Sequence, residues 1–345
     1  MRENAVVARS HFTLSLAAVR HNARTLIGAL GGAELWAVVK ADGYGHGAAD
    51  VARAALAEGA TALCVATAGE AAALRPDFPH ARVIVLGPSG PDDVRAAREI
   101  GLEIVVSDGP VPDGVPVHLK LDTGMGRWGL SEVPAPGRDV VGLMSHFASA
   151  DSDPAFTRLQ TGRFLEATAP YSHLTRHLAN SAGALRYPEA RLDAARCGIA
   201  LYGISPFGGD PGDDGLRPAL RWESEIALVK TLRPGESTGY GRRFVAGAPT
   251  CIGIVPVGYA DGFRRAMSGT EVLVAGRRAT VVGTVSMDAL AVALPDGGSV
   301  GDPVTLVGDG VLIEQHACVS GTIGYEIACG LVTRPPRAQR EVVGA

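Results

Sequence analysis

Lysine is nearly absent from this sequence. Only three of its 32 basic residues are lysine, at Lys40, Lys120 and Lys230, and the rest are arginine. Arginine keeps its proton under all ordinary conditions, whereas a lysine in a suitable environment can lose it. A lysine retained against this bias indicates a position that needs an amine able to deprotonate; survival by chance is the alternative.

Other features are also missing, and each absence excludes a class of protein. No apolar run approaches the roughly 18 residues of a membrane-spanning helix, and the N-terminal MRENAVVARSHF lacks the apolar core of a signal peptide. The net charge is −4, and no Lys/Arg stripe with interleaved aromatics occurs. We therefore expect neither a membrane nor a nucleic-acid partner.

Cysteine is scarce, and the spacing of the cysteines matches no common motif. The five cysteines form neither a C-x-x-C pair nor a metal-ligand spacing. An odd count in a chain of 345 residues indicates free thiols in a reducing compartment. We expect a cytoplasmic protein without a metal site.

The most informative stretch is AVVKADGYGHG, from Ala37 to Gly47. A short apolar run that ends at a glycine-rich turn indicates a buried parallel strand followed by a loop. Lys40 is therefore predicted at the C-terminal end of a strand, where α/β folds keep their chemistry.

Strands and helices alternate along the first part of the chain. A helix is predicted over Leu14–Leu30, and eight apolar strands with interposed helices follow, the number that a closed (β/α)8 barrel needs. Periodicity alone leaves a doubly wound open sheet as the alternative. The predicted strands are Leu35–Lys40, Ala62–Thr67, Val83–Gly87, Leu102–Ser107, Val115–Asp122, Val140–Phe147, Leu174–Asn180 and Arg196–Tyr202.

The pattern changes after Tyr202. Ser205–Arg217 reads SPFGGDPGDDGLR, which is typical of a linker. Short alternating strands broken by Gly and Pro follow, and these predict an all-β domain. We expect an α/β protein with an N-terminal (β/α)8 barrel over residues 12–215 and a C-terminal all-β domain over residues 216–345, with residues 1–11 packing against the second domain.

Polar residues cluster at the predicted strand ends. Lys40 ends the first strand, and the motifs KLDTGMGR, SHF, HLANS and RCGI mark strands five to eight. Loops after strands seven and eight of such barrels often bind phosphate. Ser181 supplies a hydroxyl there, and Gly198 lets backbone N–H groups approach closely. An imine-forming lysine near a phosphate site predicts pyridoxal 5'-phosphate as the cofactor.

A set of longer motifs, found in order along nearly the whole chain, resembles the alanine racemase family. The motifs are AVVKADGYGHG, HLKLDTGMGRWG, MSHFASAD, HLANSAG, RCGIALYGISP, STGYG, VPVGYADG, GTVSMD and GTIGYEI. The resemblance implies a (β/α)8 barrel that carries pyridoxal 5'-phosphate, a C-terminal β domain, and a head-to-tail homodimer whose active sites are shared between subunits.

The resemblance also implies the catalytic residues. Lys40 would be the Schiff-base lysine and one of two bases, and Tyr240 of the partner subunit would be the other. Together they would exchange the proton at Cα of the external aldimine and interconvert L-alanine and D-alanine, which supplies D-alanine for peptidoglycan. His146 would hydrogen-bond Tyr240, while Arg196 would contact His146 and face the pyridine nitrogen of the cofactor. Because arginine releases its proton so reluctantly, that nitrogen would stay largely unprotonated, which favours racemisation over transamination.

Binding residues follow from the same resemblance. Those matching the phosphate site are Tyr44, Ser181, Gly198, Ile199 and Tyr325, with Asn180 orienting this corner. Arg127 and the N–H of Met287 match the substrate-carboxylate site, and Lys120 matches a lysine that is carbamylated (N-carboxylated) in many members. Tyr259, Arg265 and Asp288 match residues at or near the substrate channel.

Three positions depart from the common family pattern. Thr284 stands where many relatives carry an arginine that narrows the channel, Ser15 where an aspartate is usual, and Trp128 where leucine is commoner. The first departure alters the charge of the channel mouth, and the others concern packing.

Three alternatives stay open at this point. A racemase for serine or another small amino acid would use the same residues. A non-catalytic pyridoxal-phosphate carrier would consist of the barrel alone, without Tyr240 and the β domain. A decarboxylase of the same architecture would need a cysteine-bearing substrate loop, and Cys251, Cys318 and Cys329 do not stand in that context.

Overall fold

The computed structural model of the protein describes residues 9–344. These residues form two compact units. One comprises residues 18–217, and the other comprises residues 9–17 together with 218–344. The prediction that residues 1–11 pack with the second domain falls mostly outside the described residues, because these begin at residue 9.

The first unit contains a closed barrel of parallel strands, and the predicted (β/α)8 barrel is confirmed. Its eight strands are Glu34–Val38, Ala62–Val65, Val83–Pro88, Glu103–Val106, Val117–Lys120, Val140–Met144, Thr175–His177 and Ala194–Cys197. The first strand pairs with the last, Glu34 opposite Ala194, so the sheet has no edge and the open-sheet alternative is excluded.

Helices separate most of these strands, but the connections between Glu103–Val106, Val117–Lys120 and Val140–Met144 contain none. The α-helices of this part of the chain are Leu16–Leu30, Lys40–Tyr44, Ala48–Ala57, Ala68–Leu74, Pro91–Ile100, Pro154–Thr168 and Ser181–Arg186. Short 3₁₀ turns cover Ala169–Tyr171, Pro188–Ala190, Ile199–Tyr202 and Pro211–Asp214. Sequence signals set several starts: Thr67 and Glu70 form a reciprocal capping box, and Asp153 caps the helix whose first residue is Pro154.

Seven of the eight barrel strands end earlier than predicted, and the exception, Val83–Pro88, ends one residue later. The first stops at Val38, so Lys40 lies two residues beyond the strand rather than within it. The last covers Ala194–Cys197, and the predicted extension to Tyr202 is a 3₁₀ turn. The buried apolar residues of the predicted strands nevertheless fill the barrel wall, because strands covered on both faces need continuous apolar runs.

The second unit is mostly β. Its main sheet has nine strands: Ser10–Ser15, Leu220–Glu225, Leu228–Leu232, Thr250–Val255, Glu271–Val274, Arg277–Val282, Leu290–Ala293, Pro303–Val307 and Ala338–Val343. A two-stranded ribbon joins Ser237–Thr238 to Phe244–Val245. Two α-helices, Ile313–Ser320 and Gly324–Cys329, and 3₁₀ turns at Tyr240–Arg242, Tyr259–Asp261 and Arg265–Met267 complete it.

The start of the chain differs from the prediction. Ser10–Ser15 is a strand of the second unit, and the predicted helix begins at Leu16 instead of Leu14. This strand pairs antiparallel with Leu220–Glu225 and parallel with Ala338–Val343. Residues 12–17, predicted as part of the barrel domain, therefore belong with the β unit.

The segment predicted as a linker is packed against the barrel's first helix. Asn22, fully buried, donates to the carbonyl of Arg217 at 2.9 Å and accepts the N–H of Arg217 at 2.8 Å. Leu216 is 3% exposed. The glycine, proline and aspartate content of Ser205–Arg217 thus builds ordered turns. No helix within residues 9–344 has both the length and the apolar character needed to cross a membrane.

Candidate active site

Lys40 opens a strained turn at the C-terminal rim of the barrel. Ala41, Asp42 and Gly43, which follow it, adopt left-handed backbone with φ of 51°, 51° and 61°. Left-handed backbone costs a non-glycine residue about 1–2 kcal/mol, and such strain persists only where neighbouring structure enforces it. The strain therefore marks this turn as a candidate functional element.

Two carboxylates hold the turn in place. Glu70 accepts the N–H of Ala41 at 2.7 Å through Oε1 and the N–H of Ala66 at 2.6 Å through Oε2. Asp42 accepts the N–H of Ala48 at 3.0 Å. Hydrogen bonds from backbone N–H groups to ionised carboxylates are among the stronger ones, so they offset the strain and fix the backbone that carries Lys40.

Tyr44 and Gly198 pack against each other without space for a side chain between them. A Cβ added at Gly198 would lie 2.5 Å from Tyr44 Oη. Tyr44 is 6% exposed and stacks on Tyr202 with ring centroids 4.9 Å apart. Tyr202 is itself fixed, because its hydroxyl donates to the carbonyl of Val38 at 2.8 Å. Glycine is therefore required at position 198 for the backbone to approach the phenol.

Ser181 brings together the ends of the last two barrel strands. Its Oγ accepts the N–H of Gly198 at 3.1 Å and that of Ala200 at 3.4 Å. Asn180 caps the helix that begins at Ser181, since its Oδ1 accepts the N–H of Gly183 at 2.9 Å. The predicted phosphate corner thus contains a buried hydroxyl and backbone donors at one place.

Arg196 is a buried cation surrounded by neutral acceptors. It is 3% exposed, and its Nη1 donates to the carbonyl oxygen of His177 at 2.8 Å and to its Nδ1 at 2.6 Å. Its Nη2 donates to the carbonyl oxygens of Ser145 and Leu178 at 2.6 and 3.2 Å. Within residues 9–344 no carboxylate pairs with Arg196, and its Nε–H has no protein acceptor. One directed donor is therefore available to a bound group.

His146 lies next to this guanidinium. Its Nδ1 is 3.4 Å from Arg196 Nη2, and its carbonyl accepts from Gln160 at 3.1 Å. Burial and then the charges of Arg196, Lys120 and Lys40 hold the pKa of His146 well below its usual range. His146 is consequently a neutral imidazole at physiological pH.

Lys120 is a buried amine without a carboxylate partner among the residues that the structure describes. It ends the fifth barrel strand and is 6% exposed. Burial, together with the charges of Arg127 and Arg196, lowers the pKa of Lys120 to about 8. Its Nζ and the Arg127 guanidinium lie 5.6 and 5.1 Å from the centre of the Trp128 ring. Trp128 thus packs beside both cations.

The loop after Lys120 is shaped by one side chain. Asp122 accepts the N–H groups of Gly124, Met125 and Gly126 at 2.8 to 3.1 Å. Burial alone would raise the pKa of Asp122, but these hydrogen bonds lower it. The ionised carboxylate therefore holds the loop, and Arg127 at its end is exposed.

Tyr240 lies in the second unit, on a tight turn between two glycines. It is 70% exposed, and Gly239 and Gly241 on either side have φ of 76° and 72°. Thr284 donates its hydroxyl to the carbonyl of Tyr240 at 2.8 Å. The threonine that departs from the family pattern therefore has a defined role in this structure, since it fixes the turn that presents Tyr240.

Arg337 contacts two aspartates of the second unit, Asp261 and the candidate Asp288. Its guanidinium donates to Asp261 at 2.6 and 3.0 Å and to Asp288 at 2.6 Å. Asp261 is 1% exposed, and Tyr259 and Met287, near these two aspartates in the chain, are 43% and 51% exposed. Arg337 therefore ties together the two loops that carry Tyr259 and Met287.

Comparison with known proteins identifies the family. Models of the alanine racemase N-terminal domain and of the alanine racemase C-terminal domain match residues 14–206 and 219–339. The chain belongs to the alanine racemase family. It is thus an enzyme, an amino-acid racemase.

Curated members of the alanine racemase family are similar over nearly their whole length. The chain is 41% identical to alanine racemase from Laribacter hongkongensis, covering 96% of this chain and 98% of that protein. It is 40% identical to alanine racemase from Symbiobacterium thermophilum, covering 94% and 95%. The solved structure of alanine racemase from Streptomyces coelicolor A3(2) matches with a TM-score of 0.90 at 37% identity, covering 99% of this chain and all of that one.

The residues expected from the alanine racemase resemblance divide between the two units. The barrel unit contains Lys40, Tyr44, Lys120, Arg127, His146, Asn180, Ser181, Arg196, Gly198 and Ile199, and the β unit contains Tyr240, Tyr259, Arg265, Met287, Asp288 and Tyr325. Sequence reasoning missed Glu70, His177 and Arg337, which position these residues without belonging to the quoted roles. Only His177 gave a signal, as the first residue of the HLANS motif.

Proposed function

We propose that this enzyme interconverts L-alanine and D-alanine with pyridoxal 5'-phosphate as cofactor. The observation that carries the proposal is the convergence of four cations on one rim of the barrel. Lys40, Arg127 and Arg196 all lower the pKa of Lys120, and all four groups lower that of His146. A rim so rich in positive charge suits a phosphate-bearing cofactor and a substrate carboxylate.

The residues present fit this cofactor. The buried Arg196 has a donor without an acceptor among the described residues, which suits a pyridine nitrogen that accepts a hydrogen bond. Tyr44, Ser181 and the N–H groups near Gly198 and Ile199 form a compact donor corner suited to phosphate. When bound, pyridoxal phosphate withdraws electrons from the substrate Cα and so makes its proton acidic.

Lys40 would attach the cofactor and act as the base on one face of the substrate. Tyr240 of the partner subunit would act on the other face, because inversion requires a second group opposite the first. A free phenol has a pKa near 10, so a base needs its phenolate stabilised. Neutral His146, backed by Arg196, offers that stabilisation in a homodimer with shared sites.

Arg127 and the N–H of Met287 would bind the substrate carboxylate. Arginine offers a planar pair of donors that matches two carboxylate oxygens. Tyr259, Arg265 and Asp288 would lie at or near the substrate channel, and Tyr325 would belong to the phosphate-binding residues. These roles follow from the resemblance and from the exposure of Arg127 and Met287.

Lys120 would be carbamylated. With a pKa of about 8 its amine is partly neutral near physiological pH, and a neutral amine adds to carbon dioxide, forming an N–C bond and releasing one proton. The resulting carbamate is an anion, so the repulsion between Lys120 and Arg127 would become an attraction that holds Arg127 in place.

The test is a racemisation assay over L-amino acids with and without added pyridoxal 5'-phosphate. We expect cofactor-dependent formation of D-alanine and a preference for alanine over serine. Lys40→Ala should abolish the absorbance of the bound cofactor, and Tyr240→Phe should lose racemisation while keeping that absorbance. Full rates in both directions for Tyr240→Phe would overturn the two-base assignment.

In the organism, the D-alanine formed would supply peptidoglycan synthesis. This role, the homodimer and the cytoplasmic location stay predictions. Cross-linking or sedimentation of the purified enzyme tests the homodimer, and a monomer that retains full activity would exclude a shared active site.

A further inference from the structure

A continuous line of hydrogen-bonded side chains crosses the barrel interior. Arg82 donates to Glu103 at 2.6 and 2.9 Å, and Glu103 Oε2 is 2.7 Å from His118 Nε2. His118 Nδ1 is 2.9 Å from His177 Nε2, and His177 Nδ1 is 2.6 Å from Arg196 Nη1. We call the part from Glu103 through His118 and His177 to Arg196 the relay.

The relay connects the two ends of the barrel. Glu103 is the first residue of its strand, so it lies at the amino end of the barrel. His177 is the last residue of its strand, at the carboxyl end, where Arg196 and His146 meet. Both relay histidines are fully buried, whereas the Glu103 side chain is 17% exposed. A carboxylate remote from the active site is therefore joined to it by two imidazoles.

The groups at the two ends of the relay determine which nitrogen of each histidine carries the proton. Arginine can only donate, so His177 Nδ1 must accept and the proton of His177 must be on Nε2. That proton points at His118 Nδ1, which must accept in turn, so the proton of His118 is also on Nε2 and is donated to Glu103. One tautomer of each ring satisfies every bond, and the alternatives place two donors face to face.

The charge state of each group agrees with this arrangement. Burial lowers the pKa of His118 and holds that of His177 well below its usual range, so both rings are neutral. Burial alone would raise the pKa of Glu103, but the hydrogen bonds from His118 and Arg82 outweigh it and bring the pKa to about 2. The relay is thus a cation and an anion separated by two neutral, oriented rings.

The rings have little freedom to rearrange. A Cβ at Gly142 would lie 2.2 Å from His118 Nδ1, so His118 occupies the space that glycine leaves. The Trp36 ring packs against both imidazoles, with centroids 5.7 Å from His118 and 4.5 Å from His177. Close packing of this kind restricts the rings to one orientation.

We propose that Glu103, His118 and His177 are positioning residues for the reaction. Glu103 fixes the tautomers of the two histidines, and these hold the Arg196 guanidinium in the orientation in which it faces the cofactor ring nitrogen. The inference rests on the proposed function, since it assigns that role to Arg196. It adds a remote carboxylate to the groups that control the electronic state of the cofactor. Hydrogen bonds in a buried network strengthen one another, so breaking one member of the relay weakens the other bonds of the relay.

The first test needs no variant. In ¹⁵N-histidine-labelled protein without cofactor, long-range ¹H–¹⁵N spectra report which nitrogen of each imidazole carries the proton. We expect His118 and His177 as neutral rings protonated on Nε2. A proton on Nδ1 of either ring, or a charged ring at neutral pH, overturns the proposal. This result is independent of whether the enzyme uses pyridoxal 5'-phosphate.

The second test compares Glu103→Leu with Arg82→Leu in the holoenzyme. Both substitutions break the same ion pair at the amino end, but only Glu103→Leu removes the acceptor of His118. A lost hydrogen bond to a charged group predicts a decrease in kcat of about tenfold for Glu103→Leu, an unchanged KM for alanine, an altered absorbance of the bound cofactor and mixed His118 tautomers. Arg82→Leu should leave all four properties near the wild-type values.

The outcomes of these tests distinguish a failure of the relay proposal from a failure of the proposed function. Equal effects of Glu103→Leu and Arg82→Leu on kcat and absorbance would mean that only the ion pair matters, and the relay would be wrong. Complete absence of cofactor-dependent racemisation in the wild type would instead refute the proposed function, while the tautomers measured without cofactor would stand.

Discussion

Substitution of Gly198 by alanine tests the phosphate corner of the barrel most simply. The new Cβ would lie 2.5 Å from Tyr44 Oη and 2.9 Å from Tyr44 Cζ, so one of the two must move. Tyr44 cannot easily yield, because its backbone has a φ of 51° and its ring stacks on Tyr202. Overpacking a tight site costs about 1–3 kcal/mol.

We expect most of this cost to appear in cofactor binding. Displacing Tyr44 or the backbone near Gly198 moves donors assigned to phosphate, and a loss of about 2 kcal/mol corresponds to roughly thirtyfold weaker binding. The dissociation constant of pyridoxal 5'-phosphate, followed by absorbance during titration of the apoenzyme, measures it. Gly162→Ala is the matched control, since Gly162 lies in a helix where a Cβ would meet nothing within 4 Å.

A double-mutant cycle isolates the cause. If the clash with the phenol is responsible, adding Gly198→Ala to Tyr44→Ala should weaken cofactor binding much less than adding it to the wild type. Unchanged cofactor affinity of Gly198→Ala, or an equal loss in both backgrounds, would refute the packing argument.

Three further predictions concern single side chains. Burial lowers the pKa of Lys120 from 10.5 to about 8, so between these two pH values the unfolded chain binds more protons than the folded one. In buffer free of carbon dioxide, the free energy of unfolding relative to that of Lys120→Met should therefore be constant below pH 8 and rise above it. A difference that stays constant with pH would contradict the lowered pKa. Arg337→Met leaves the buried Asp261 without its cation, and we expect about 2 kcal/mol lower stability in urea, discounted for the partial exposure of Arg337. Thr284→Val removes the hydrogen bond to the Tyr240 carbonyl, worth about 1 kcal/mol, and should lower kcat severalfold with unchanged cofactor absorbance; an unchanged kcat would count against a role for Thr284.

Much of the barrel could be predicted because its signals are local. Each strand is a short apolar run bounded by glycine, proline or polar residues, and burial on both faces of a parallel sheet demands that pattern. The strand ends were less predictable. The sequence AVVK reads as one strand, yet the strand stops at Val38 because Ala41 and Asp42 enter left-handed backbone that Glu70, from another part of the chain, stabilises.

The first strand of the β unit was missed for a different reason. Ser10–Ser15 alternates buried and more exposed residues, but its apolar Leu14 also continues the helical spacing of the following segment. Its strand partners, Leu220–Glu225 and Ala338–Val343, lie more than two hundred residues away. Tertiary pairing of this kind overrides local propensity.

The candidate site also combines residues that the sequence predicts with residues that it does not. Lys40 and Tyr240 could be proposed from motifs, because the proposed chemistry requires those residue types. Glu103 could not, since a glutamate at the start of a strand is unremarkable in sequence, and its role depends on His118 and His177 meeting inside the barrel. Glu103 acts only through other side chains, so it leaves no local signature in the sequence.

The central claim is that Lys40 holds the cofactor. The scarcity of lysine allows one measurement to test it: borohydride reduction of the holoenzyme fixes the cofactor to its lysine, and peptide mass mapping then identifies that residue. We predict the added mass on the peptide that contains Lys40. The same mass on Lys120 or Lys230, or on no lysine in active enzyme, would contradict the account.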